Sequence, residues 1–294
     1  MSWLQRLETQ LPKIVVAPTF VCALLFIYGF ILWNAYLSLT PSRMLPNYEF
    51  VGLIQYQTLF ENERWWTALR NLGVFSVLFI AIALAIGLLL AILLDQKIRG
   101  EGWIRSIYLY PMALSFIVTG TAWKWILNPG LGVEKLVKDL GFTDFTFDWL
   151  INPERSIYTV VIAAVWQSSG FVMALFLAGL RSIDDSIIKA AQIDGASLPR
   201  IYVRIVIPSL IPVFISVIMI LTHIAVKSFD LVMALTGGGP GFASDLPATF
   251  MYAFSFTRNQ IGLGAASAMM MMLMMMTAVI VPLMYSDFRR GKAA

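Results

Sequence analysis

The sequence predicts an all-α integral membrane protein with six transmembrane helices and both termini on the cytoplasmic side. Three observations predict it. Of 294 residues, 59% are hydrophobic and 13% charged, against about 45 to 50% and about 25% in soluble domains, and mean hydropathy is +0.78. Six apolar runs each supply the about 20 residues that a helix needs to cross about 30 Å of hydrocarbon. Lys and Arg fall unevenly between the two sets of connecting segments, as basic residues do when they are held in the cytoplasm.

The runs span residues 14–39, 72–94, 107–127, 157–180, 205–226 and 261–285 of one membrane domain, 1–294. The first follows Arg6 and Lys13, as a secretory signal would, but it is far longer than the 7 to 15 residues typical of a signal core, so it reads as a retained span. One set of connecting segments comprises the N-terminus, 95–105, 181–204 and the C-terminus with Arg289, Arg290 and Lys292, and it holds 12 basic residues. The other set, 40–71, 128–156 and 227–260, holds seven basic residues beside Lys227, together with ten acidic ones. That asymmetry makes the first set cytoplasmic and the second periplasmic. The basic excess is thereby a topology signal, which leaves no case for a nucleic-acid partner and makes the lipid bilayer the first one.

Within the periplasmic segments, Val133, Leu136, Val137 and Leu140 recur at helical spacing after Pro129, Gly130 and Gly132 and predict a short amphipathic interfacial helix. Trp65, Trp66, Trp123 and Trp125 stand where aromatic anchors are expected. Lys124, near the outer end of the third run, reads as a snorkelling residue.

Several chemistries lack their residues. The single Cys22 forms no intrachain disulfide, and the single His223 builds no histidine metal cluster. The six runs contain no Asp or Glu, the groups with which ion-coupled transporters bind and release their ion. No Gly-rich nucleotide loop, Gly-x-Ser-x-Gly elbow or His-Glu-x-x-His pair occurs, so active transport by this chain requires a borrowed motor and no catalytic residue is assigned. A stand-alone secondary transporter or channel is the alternative, and a membrane-embedded enzyme a further one.

The 181–204 segment reads as helix, break and helix. Ser182 with Asp185 resembles a capping box that starts a helix near Ile183. Gly195 ends it by accepting positive φ, Ser197 recaps, and Pro199 fits the next first turn. Ile187, Ala190, Ala191 and Asp194 share one side and form a shallow surface for another protein's groove; an interfacial helix on lipid headgroups is the other reading.

Lys189-Ala190-Ala191-Gln-Ile-Asp194-Gly195-Ala196, continuing to Ile205-Val-Ile-Pro208, resembles the E-A-A-x-x-D-G-A…I-x-L-P loop of bacterial ABC-importer permeases, with Lys189 in place of the usual Glu and Ile207 in place of Leu. Phe229-Asp-Leu-Val-Met-Ala-Leu-Thr236-Gly-Gly-Gly-Pro240 is similar to a segment of the carbohydrate permeases of the maltose and glycerol-3-phosphate type, as are Leu109-Tyr-Pro111 and Trp123 through Gly132. The resemblance implies the type I ABC-importer permease fold and a coupling role for Lys189, Ala190, Ala191, Asp194, Gly195 and Ala196. It further implies a second homologous permease subunit, two ATPase subunits that use ATP and Mg, a periplasmic sugar-binding protein, and a bacterial cell inner membrane as the setting. No cofactor is expected on this chain.

The resemblance also places sugar contacts at Gln167, Ser168 and Phe171 in the fourth run and at Ile224, Ala225 and Ser228 in the fifth. Ile224 and Ala225 replace an aromatic and an amide there, so a sugar other than maltose is expected, with a monosaccharide such as glucose or mannose ahead of oligosaccharides and a polyol phosphate. Gln167 and Ser168 also suit helix–helix hydrogen bonding, and His223 and Lys227 either meet substrate or satisfy local partners, Asp230 among them. Eight consecutive residues from Met269 to Met276, seven of them Met, cover every side of a helix. They therefore suit flexible packing against a moving neighbour better than Cu(I) ligation. Gly262, Gly264, Ala265, Ala266, Ser267 and Ala268 are expected to abut the second permease subunit.

Overall fold

The computed structural model describes Lys13, residues 15–96 and residues 98–291, with side chains described through residue 280. Arg6, Ile14, Lys97 and Lys292, and the side chains of Arg289 and Arg290, lie outside the described residues. Every regular element described is helical. In chain order these are α1 (Val15–Leu37), α2 (Ile54–Glu61), α3 (Glu63–Leu94), α4 (Glu101–Leu109), α5 (Phe116–Ile126) and α6 (Val133–Asp139). There follow α7 (Ser156–Arg181), α8 (Asp185–Ile193), α9 (Leu198–Ser209), α10 (Ile211–Val226), α11 (Asp230–Leu235), α12 (Pro247–Tyr252) and α13 (Ile261–Gly291). The amphipathic helix expected from Val133 is α6.

Four helices, α1, α3, α7 and the Ile261–Ile280 part of α13, are long and apolar enough to cross a bilayer, and α9 with α10 makes a fifth candidate bent by 62°. The bend falls at Leu210, between Pro208 and Pro212, each of which removes an N–H from the helical ladder. The second apolar run is longer as a helix than expected: α3 begins at Glu63, nine residues before Leu72.

The third expected span is not a continuous helix. After α4 a 3-10 turn at Tyr110–Ala113 carries Pro111, Leu114 is extended, and Ser115 caps a new helix by accepting the Val118 N–H at 3.3 Å. At 1.5 Å per residue, the 11-residue α5 is about 16 Å long, roughly half the hydrocarbon thickness.

The chain divides into two compact units. In the unit made of residues 1–62 and 251–270, small residues permit close approach. A Cβ on Gly262 would meet the Thr40 carbonyl oxygen at 2.4 Å and one on Gly264 the Ser255 hydroxyl at 2.0 Å. Residues 262–267 are buried there within this chain, so the small-residue stripe serves an internal contact and not the expected one with a second subunit.

The unit made of residues 63–250 and 271–294 is organised on α7, of whose most apolar 18-residue window 72% is buried, against 28% for α3. The two run parallel: Val172 and Met173 approach Gly87, and Arg181 at the end of α7 meets Asp95 just beyond α3. Lipid is as apolar as these side chains, so close packing and not expulsion of water holds such helices together. Phe75, Phe79, Ala83, Val160, Met173 and Phe176 fill the contact, while Val77, Leu89 and Leu93 point away from it. Of the methionine run, Met271, Met274 and Met275 pack on this core and Met276 is exposed.

Trp65 departs from its expected role. It is fully buried and meets Phe250 edge-on at 5.2 Å, whereas Trp66 and Trp125 are exposed and Trp123 packs on Trp166.

Candidate functional site

The segment that follows α7 is an elbow whose helix is closed by hydrogen bonds at both ends. Ser182 does not cap α8, because its hydroxyl donates back to the Gly179 carbonyl at 2.7 Å. Asp184 is the cap, its carboxylate accepting the Ser186 N–H at 2.8 Å. That backbone bond first, then the Ser186 side chain and the Lys189 charge, hold the Asp184 carboxyl below the usual carboxylate range. At the other end Gly195 adopts φ +76°, the Ala196 N–H donates to the Ala191 carbonyl and the Gly195 N–H to that of Gln192, both at 3.0 Å. This is a complete Schellman closure.

One side of α8 is committed to the core through Ile183, Ile188, Ala191 and Ala196. The opposite side, with Ile187, Lys189, Ala190, Ile193, Asp194 and Gly195, is open, and Ile193 is 86% exposed. Of the four residues expected to share one side, Ala191 is therefore turned inward, while Ile187, Ala190 and Asp194 lie on the open side beside Ile193. The elbow is tied to its surroundings by Arg181, which donates to Glu101 at 2.7 Å and lies 3.8 Å from Asp95. Ser197 precedes α9 in an extended conformation with Pro199 in the first turn, as expected, although its side chain makes no capping bond.

The expected pathway residues separate into two groups. His223, Ile224 and Ser228 come together with Phe116, Lys227 and Asp230 around a cavity of about 240 Å³, where α10 ends and α11 begins. His223, Lys227 and Asp230 are exposed to it, and the Ser228 hydroxyl donates to the Ile224 carbonyl at 2.8 Å. Ala225 is buried in the core and takes no part.

Gln167, Ser168 and Phe171 do not line that cavity. Gln167 is 5% exposed, and its side-chain amide donates to the Leu114 carbonyl at 2.7 Å, within the break that divides the third run. Its Oε1 is buried with no hydrogen-bond partner among the described residues. Close approach explains its neighbour Gly170, where a Cβ would lie 1.8 Å from the Tyr108 carbonyl oxygen.

Beyond α11 the Gly237-Gly238-Gly239-Pro240 turn has positive φ at its first two glycines and a cis bond at the proline. Ser244 ties it by hydrogen bonds to Thr236 at 2.7 Å and to the Gly239 carbonyl at 2.8 Å. The next residue, Asp245, is 1% exposed and accepts from Arg64 at 2.7 Å, while Arg64 also lies 4.2 Å over the Phe242 ring. Asn71 donates to the Ala243 and Asp245 carbonyls, each at 3.0 Å. Sequence reasoning missed Arg64, Asn71 and Asp245. The one available signal was an acidic residue five positions after Pro240 of the glycine-rich turn.

Residues 83–288 match the family model described as binding-protein-dependent transport system inner membrane component. A probable ABC transporter permease protein of Pyrococcus horikoshii is 39% identical over 97% of this chain and 98% of its own length. The xylose/arabinose import permease protein of Haloferax volcanii is 37% identical, with 92% and 86% covered. A bacterial ABC transporter involved in alginate import superposes with a TM-score of 0.84 at 20% identity, covering 97% of this chain and 98% of that one, which extends the likeness to the fold. The chain belongs to the family of binding-protein-dependent transport system inner membrane components, the permeases of ABC transporters.

Proposed function

We propose that this chain is one of two homologous permease subunits of a sugar-importing ABC transporter in the cytoplasmic membrane. Six segments cross the bilayer, with the broken α4–α5 run and the bent α9–α10 pair among them and both termini in the cytoplasm, all within one membrane domain. A periplasmic binding protein delivers the sugar, and two ATPase subunits consume ATP and Mg. Lys189, Ala190, Asp194 and Gly195 present the open side of α8 to the ATPase, with Ala191 and Ala196 seating that helix on the core. ATP binding draws the ATPases together, pulls α8 and rocks the spans to an outward-facing state.

The observation that carries this reading is the form of the elbow: a helix capped at both ends, fixed to the core along one side and open along the other, with Arg181 bonded to the segments beside it. Nothing in such an arrangement performs chemistry; it transmits force.

The substrate is a sugar that exchanges its water for His223, Ile224, Ser228, Gln167, Ser168 and Phe171. A cavity of about 240 Å³ supports a monosaccharide such as glucose or mannose over a chain of several rings. Pentose import by the Haloferax volcanii relative supports the same size class.

The test is uncoupling. In the complete transporter, Asp194→Lys and Gly195→Pro are expected to abolish ATP-driven uptake while the subunit still inserts and assembles. Unchanged uptake in both variants removes the docking role from α8.

A further inference from the structure

A second polar cleft lies at the other end of the α3–α7 pair, far along the bundle from α8. Its volume is about 480 Å³, and its walls come from the first turns of α3, the loop before α7, the first turn of α7 and the loop after the glycine-rich turn. Arg70 and Thr67 stand on one wall, Glu154 and Tyr158 on another, and Asn71 and Ala243 close the base.

The charges are arranged in an unusual way. Arg70 and Glu154 are exposed into the same cleft, yet among the described residues neither has an ion-pair partner. Exposed pairs gain little by closing, so both side chains stay available to water or a ligand. The walls that carry them are held in place. Asn71 spends its amide donors on the Ala243 and Asp245 carbonyls, and Asp245 is fixed by Arg64. On the far side Tyr158 is braced edge-on by Trp149 at 6.2 Å, which stacks on Phe147 at 5.1 Å.

Such a cleft selects by chemistry. The opposite charges of Arg70 and Glu154 cancel, so the cleft offers no net attraction to an anionic or a cationic ligand. A neutral polyol satisfies both, because each of its hydroxyls donates to a carboxylate and accepts from a guanidinium. The Tyr158 ring offers an apolar face to the C–H side of a sugar and its hydroxyl to the polar side. We infer that this cleft is an entrance subsite for a neutral saccharide, distinct from the cavity at His223 and Ser228, and that Arg70 and Glu154 are its specificity-determining residues. The inference rests on the sugar-importer reading and adds a first resting place for the sugar at the end of the bundle opposite α8.

Trp149 provides the reporter. The complete transporter is reconstituted in nanodiscs with 5-fluorotryptophan in this chain, its Trp149 resonance is assigned through Trp149→Phe, and D-glucose, D-mannose and D-xylose are titrated without binding protein. A saturable shift of that resonance by at least one sugar is expected. Arg70→Ala and Glu154→Gln should each weaken it about tenfold, the loss of one charge-assisted hydrogen bond, with Arg70→Lys intermediate. Thermal unfolding of each variant at the wild-type temperature excludes misfolding as the cause.

No shift with any of the three sugars, or equal affinity in both variants, overturns the subsite. A shift caused by sugar-free binding protein alone assigns the cleft to protein docking and overturns it equally. ATP-driven uptake measured in parallel separates the two readings: uptake with a silent Trp149 sinks the cleft alone, whereas absent uptake of every sugar sinks the importer reading.

Discussion

Asp245 shows how much a single carboxylate can organise. It is almost wholly buried, pairs with Arg64, and accepts from Thr249, while its backbone carbonyl receives the Asn71 amide. Removing one partner of a buried pair leaves the other charge desolvated, so Asp245→Ala should cost about 3 kcal/mol, read as a lowered thermal unfolding midpoint in nanodiscs. Arg155→Ala removes only an exposed contact at 4.0 Å and should stay within about 0.5 kcal/mol. Equal losses in the two variants contradict the clamp. Glycines discriminate in the same way. Gly170→Ala drives a methyl group into the Tyr108 backbone and should prevent stable assembly, whereas Gly73→Ala meets open space and should be tolerated. At Gly195 the surroundings are open but φ is +76°, so Gly195→Ala should cost about 1 kcal/mol through backbone strain alone.

Among the elements, α8 was legible from sequence at its C-terminal end and not at its start. Only glycine readily adopts the positive φ that closes a helix, so Gly195 marked the end unambiguously. Ser182 and Asp184 are both good caps two residues apart, and the choice turned on where α7 ends: Ser182 is its C-cap and its hydroxyl bonds back to Gly179. Asp184→Ala is therefore expected to raise amide exchange at Ser186 and Ile187, while Ser182→Ala leaves it unchanged. The pH dependence follows the depressed Asp184 carboxyl. Its capping contribution is fully present above the ordinary carboxylate pKa of about 4 and fades only as pH falls through the lower folded-state value, so Ser186 protection should hold level from neutral pH to about pH 5. The long apolar runs were legible because lipid imposes length and composition; α1 and α7 follow them closely, and α3 covers its run with an added start at Glu63. The break at Leu114 was not, although Pro111 announced an irregularity. What stabilises the broken form is the Gln167 amide reaching a carbonyl 53 positions away, and no local pattern encodes that. Gln167→Leu should destabilise α5 against α7 by about 1 kcal/mol by removing the donor of the half-buried Leu114 carbonyl.

At the scale of the whole molecule, the family was readable from two motifs because each sits at a place where the backbone needs it: the α8 closure and the glycine-rich turn beyond α11. The candidate pathway was less readable. Three of its six residues gather at one cavity, while Gln167 meets a helix break instead and Ser168 and Phe171 lie away from the cavity, since a helical register gives the side of a span but not the neighbour that side meets. The cleft at Arg70 and Glu154 was invisible for the same reason, its walls being contributed by segments up to 176 positions apart, from Thr67 to Ala243. On the proposed function, the open side of α8 is where the ATPase engages this permease. The most direct measurement is sugar accumulation in sealed vesicles carrying either the complete transporter with its binding protein or this subunit alone, each with and without ATP. Concentrative uptake only by the complete transporter, and only with ATP, is the expected result; a gradient built by the lone subunit contradicts the account.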